Sequence, residues 1–88
     1  MKFSIECPGN TEMRVIHFSE PLGEFEYGRV WLQTECGKRF ASLLKCANGV
    51  QSLESVYRYS VVITHAKLLA DTEILAGVSQ AVRTFLAE

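Results

Sequence analysis

Three cysteines and two histidines carry the chemical potential of this chain: Cys7, Cys36, Cys46, His17 and His65. Thiolate and imidazole are ligands for zinc and for softer metals, and a thiolate is also a nucleophile. Their spacing suits none of these uses well. Cys36 and Cys46 lie ten residues apart, and on one continuous helix that separates them by about 15 Å, too far for one ion. His17 and His65 each fall in a predicted strand and could join Cys7 only if those strand ends met. Zinc normally takes four ligands, and no short-spaced ligand pair exists here. Cys36 falls near a predicted helix N-terminus, a position associated with reactive thiols. Against this, free Cys is among the most buried residue types, so all three are expected to be buried or inert. There is no Gly-rich phosphate loop, no Gly-x-Ser-x-Gly elbow and no close carboxylate pair beside a nucleophile. The chain reads as non-enzymatic, with Cys7, Cys36 and Cys46 the weak metal-ligand candidates and no cofactor expected.

The aromatic residues offer a site of another kind. Trp31, Tyr57 and Tyr59, with Arg58 between the two tyrosines, have the composition of protein-contact surfaces. Phe25 and Tyr27 join them as contact candidates from loop 19–28, which Glu20, Glu24 and Glu26 make acidic. The plainer expectation is that the aromatics cover one sheet face and that the loop is a solvated connection.

Size and composition narrow the function class. Eighty-eight residues make one domain, and one this small buries only about 60–65% of its unfolded surface, so its stability margin is thin. At 48% hydrophobic the chain is too apolar to be disordered. The net charge of −1, with Lys and Arg scattered, argues against nonspecific nucleic-acid binding, which needs a cationic excess. No segment approaches the roughly 20 apolar residues needed to cross a bilayer, and the first residues do not resemble a signal peptide. An odd number of cysteines cannot pair completely within the chain. The expectation is a soluble, cytoplasmic protein without membrane or nucleic-acid partners.

The elements that would position these residues can be read along the chain. Residues 2–7 and 13–18 alternate and predict a hairpin over about 2–18, turning at Pro8-Gly9-Asn10. Residues 29–34 predict a short third strand or a turn leading into a helix. That helix covers 35–47, with Phe40, Leu43, Leu44 and Ala47 on one face, and stops at Asn48-Gly49. Strands are predicted at 50–56 and 60–66, the second rich in β-branched residues. A closing helix starts near Asp71, whose carboxylate suits a cap. Its apolar stripe is Ile74, Leu75, Val78, Ala81, Val82, Phe85 and Leu86. Gly77 weakens it by about 1 kcal/mol relative to Ala and could permit close approach to the sheet. The fold class is therefore α+β: two layers, a four- or five-stranded mixed or antiparallel sheet, two helices on one face, order ββ(β)αββα.

Three stretches resemble the N-terminal domain of Nfu-type iron–sulfur scaffold proteins. They are Glu6-Cys7-Pro8-Gly9-Asn10-Thr11-Glu12-Met13-Arg14-Val15, the helix end Phe40-Ala41-Ser42-Leu43-Leu44-Lys45-Cys46-Ala47-Asn48-Gly49-Val50, and Val61-Val62-Ile63-Thr64-His65-Ala66-Lys67. The likeness covers nearly the whole chain. It departs in having a single Pro8 where the family has two prolines, a longer hairpin, and no Ser-Pro-Leu at the helix start. The resemblance implies an accessory or docking module in iron–sulfur or metal-cofactor assembly. In that family a separate domain with Cys-x-x-Cys holds the cluster, so it implies no ligand residues in this chain. The implied partners are iron–sulfur assembly factors or their clients.

A second resemblance is to heavy-metal-associated domains of ferredoxin-like fold. Cys36 stands thirteen residues before Gly49-Val50, a spacing similar to that family's. Gln33 occupies the place of its first Cys, so the two-thiolate grip on Cu(I) is missing. This leaves two other functions: a small self-associating regulatory module, active as a homodimer, and a thiol-dependent metal carrier using Cys36.

Overall fold

In the computed structural model, residues 1–9, 12–65 and 71–87 are described. Four strands form one antiparallel sheet: β1 (Phe3–Glu6), β2 (Met13–Phe18), β3 (Val50–Val56) and β4 (Ser60–His65), in spatial order β1-β2-β4-β3. Two helices, α1 (Glu35–Lys45) and α2 (Asp71–Leu86), complete the second layer. The α+β class and the order read from the sequence hold, with four strands and an entirely antiparallel sheet.

Alternation dictates which face is covered. Ile5, Ile16, Val61 and Val56 stand in one row across the sheet, and Ile63 and Leu53 pair in the next. Ile16, Val56, Val61 and Ile63 are buried against Phe40 and Leu44 of α1 and Ile74, Val78 and Val82 of α2. The opposite parity, including Ser4, His17, Val15, Val62 and Thr64, forms the face the helices leave open. Register also carries Arg14 and His65 inward, where both are buried. Arg14 lies beside Ile63 and donates from Nη1 to its neighbour's carbonyl, Met13 O, at 2.7 Å.

Of the two forms expected for residues 29–34, the segment takes the turn and not the strand. It forms a 3-10 turn, Trp31–Gln33, because Trp31 sinks into the core rather than alternating across a sheet. It feeds directly into α1. Thr34 caps that helix: its Oγ1 accepts from Gly37 N–H at 3.1 Å and donates to the Trp31 carbonyl. Gly37 is required here, since a Cβ would overlap the Trp31 carbonyl oxygen and lie 2.7 Å from Leu32 Cα. At the far end α1 stops two residues before its predicted limit, and Gly49 adopts φ +91° as the left-handed stop before β3.

Gly77 faces the turn after α1 rather than the sheet. A Cβ there would sit 3.4 Å from Asn48 N and 3.9 Å from the Ala47 Cβ, ordinary contact distances. The cap expected from the Asp71 side chain, and the turn and motif residues Asn10, Thr11, Ala66 and Lys67, lie outside the described residues.

Candidate functional site

The cysteines are neither buried nor gathered. All three are free and exposed. Cys36 is the second residue of α1 and points outward from its first turn, while Cys46 caps the other end of the same helix. Cys7 follows β1, an edge strand of the sheet, and α1 packs toward the opposite edge at β3. Of the expectation that they are buried or inert, burial does not hold, because each cysteine occupies an element end or an outward helix position. The histidines are also separated. His17 is exposed on the open face, 3.8 Å from Glu6 Oε1, whereas His65 is buried on the covered one. Among the described residues no three His, Cys, Asp or Glu side chains are placed to share a metal ion.

The aromatic contact candidates split. Trp31 and Phe25 belong to the interior. Trp31 is 9% exposed, stacks on Phe25 at 5.3 Å between ring centroids, and meets Phe40 and Phe85 edge-on at 5.7 and 6.3 Å. The contact role expected for Trp31 is therefore corrected: its ring is consumed by the core, and Phe25 forms the lid over it.

Tyr27, Tyr57 and Tyr59 are exposed at 74%, 39% and 49%. Tyr57 and Tyr59 sit at the tip of the β3–β4 hairpin, where Tyr57 N–H donates to Ser60 O at 2.7 Å. Loop 19–28 is stitched to that tip. Leu22 N–H donates to Arg58 O at 2.7 Å, and Gly28 N–H donates to Val56 O at 2.6 Å. Tyr27 then pairs with Tyr57 in an antiparallel bridge, and their rings meet edge-on at 5.9 Å. Gly28 permits this approach, because a Cβ there would overlap the Val56 side chain.

Arg58 is half-buried and tied inward: its Nε donates to Phe25 O at 3.2 Å and its Nη2 lies 3.6 Å from Glu26 Oε1. It orders the loop that presents Tyr27. Val30, three residues beyond Tyr27, is a further exposed apolar residue at 72%; the sequence reading missed it. The outcome is a pair of facing phenols held by backbone hydrogen bonds, with the exposed Tyr59 in the same hairpin turn. Such a surface can bury aromatic area against a partner while each hydroxyl keeps a hydrogen-bonding option.

No protein-family model matches the chain, and searches of curated proteins and of solved structures give no match either. No helix among the described residues is long and apolar enough to cross a membrane.

Proposed function

We propose that this chain is a non-enzymatic accessory module that acts by protein contacts, docking a partner on the Tyr27–Tyr57–Tyr59 surface. The observation that carries the reading is the display of exposed phenols at a hairpin tip, braced by Arg58 and the Gly28–Val56 hydrogen bond. An aromatic surface costs solvation unless a partner covers it, and Tyr is among the residues that dominate binding energy at interfaces. The resemblance to the Nfu N-terminal domain supports placing that partner among iron–sulfur assembly factors or their clients. Affinity capture from the native host under anaerobic conditions, read by mass spectrometry, tests the assignment. Recovery of cluster scaffolds or iron–sulfur enzymes is the expected result; recovery of the protein alone contradicts it.

A second reading has one observation in its favour. On the open sheet face Val15 pairs directly with Val62, and Met13, 37% exposed, stands beside Thr64. This apolar strip favours a self-associating module that covers the face with a second copy. Light scattering across a concentration series separates the two: a monomer throughout excludes the homodimer. For the thiol-carrier alternative, unchanged metal binding in Cys36→Ser removes the assignment.

A further inference from the structure

A groove follows the open edge of β3, between that strand and α1. Leu32 and Leu53 line both its upper and its lower halves, which meet at these two side chains. Lys38 and Lys45 flank the upper half, and Arg29 lies in the lower half beside the Tyr27–Tyr57 pair. The lysines are both exposed and seven residues apart on α1, two turns or about 10 Å along one side of the helix. Glu54 is the one carboxylate among the described lining residues, and it already accepts a hydrogen bond from Ser52 Oγ at 2.7 Å. In a chain of net charge −1, this strip carries three cations around an apolar floor.

The molecule shows what such an edge accepts. At its lower end the chain's own Tyr27 bridges Tyr57 in antiparallel fashion, and Gly28 N–H donates to Val56 O before the chain turns away. Higher up, β3 is bulged between Val50 and Ser52 and again between Leu53 and Ser55. Such bulges discourage pairing with an identical strand. Two copies meeting here would also oppose lysine to lysine. Charge complementarity instead favours carboxylates.

We propose that this groove binds an extended acidic segment of a partner protein. An apolar side chain of the segment seats between Leu32 and Leu53, and its carboxylates face Lys38 and Lys45. The proposal rests on the protein-contact reading above and names the chemistry of the partner: the tyrosine surface anchors it, and the groove holds its acidic strand.

The test is fluorescence anisotropy with short labelled peptides that alternate Glu with Leu, Phe or Tyr, beside matched Gln and Lys series and an oligothymidylate. The Glu series should bind, weaken with salt, and shift the amide resonances of Leu32 and Leu53. Lys38→Glu should reduce affinity about tenfold or more, because it sets like charges against each other. Lys45→Glu should act in the same direction; it also alters the carbonyl end of α1, so Lys38→Glu is the primary variant, with circular dichroism confirming its fold. No binding by the Glu series, equal binding by the Gln series, or affinity that survives Lys38→Glu overturns the proposal. Tighter binding of oligothymidylate assigns the groove to nucleic acid, and self-association abolished by Lys38→Glu assigns it to a second copy; either overturns it. A captured partner that is lost in Tyr27→Ser but kept in Lys38→Glu overturns the groove and leaves the docking surface standing.

Discussion

The aromatic residues of this protein occupy two regions that behave as opposites. In the interior, Phe40 touches Phe18 at 6.1 Å, Trp31 at 5.7 Å and Phe85 at 4.6 Å between ring centroids, and is fully buried. At the hairpin tip, Tyr27 and Tyr57 meet at 5.9 Å in a similar edge-on geometry, yet remain in water. All three tyrosines are exposed, and every phenylalanine is buried or half-buried. Ring contacts alone do not separate the regions; what surrounds them does. The inner rings are enclosed by sheet and helices, so their removal leaves a cavity. The outer rings are supported by backbone hydrogen bonds, so their removal leaves the fold and takes away a surface.

The contrast can be broken most forcefully from the inside. Phe40→Ala should cost about 3–5 kcal/mol, from lost transfer energy and an unfilled cavity. In a domain this small that consumes much or all of the net stability. Urea denaturation followed by circular dichroism would show a strongly lowered midpoint or no transition.

Gly28→Ala acts on the seam between the regions. Overlap with Val56 forces the loop away from β3, and the expected cost is about 1–3 kcal/mol. The Tyr27–Tyr57 contact should be lost with it, which nuclear Overhauser effects between the two rings would report. Thr34→Ala removes the α1 cap and should cost about 1 kcal/mol, read as a lower thermal midpoint with an unchanged spectrum.

Gly77→Ala should raise stability by about 0.5–1 kcal/mol, since the helix gains propensity and the new methyl meets Asn48 and Ala47 at ordinary distances. Tyr27→Ser should have the smallest effect on stability, within about 0.5 kcal/mol, as expected for an exposed side chain. Its effect on partner capture should be the largest of the set. A stability loss comparable to that of Phe40→Ala would erase the distinction between the two regions.

The elements were legible where local pattern and tertiary role agree. β3 begins and ends at the residues its pattern marks, because Gly49 and the Tyr57 turn interrupt the chain on either side. α1 and α2 present the apolar faces their spacing dictates, with Ile74, Val78, Ala81 and Val82 buried as read. Tertiary demands hid the rest. Residues 29–34 read equally as a short strand or a turn, and only the neighbouring Phe40 and Phe85 reveal why the chain turns there. Gly28 and Gly37 carry no local signal of the backbone each must approach. The burial of Arg14 and His65 follows from strand register, which pairing across the sheet decides. At the candidate site, Tyr27, Tyr57 and Tyr59 were identifiable by type, while the split between them and Trp31 needed the third dimension. The tie from Arg58 to Phe25 spans two segments far apart in sequence and left no trace in either.

The docking account is tested most directly by anaerobic affinity capture from the native host with two baits, the unaltered protein and the double variant Tyr27→Ser/Tyr57→Ser, each verified as folded by circular dichroism. The account predicts iron–sulfur assembly factors or client enzymes on the first bait and their loss from the second. The same proteins on both baits, or none on either, would contradict it.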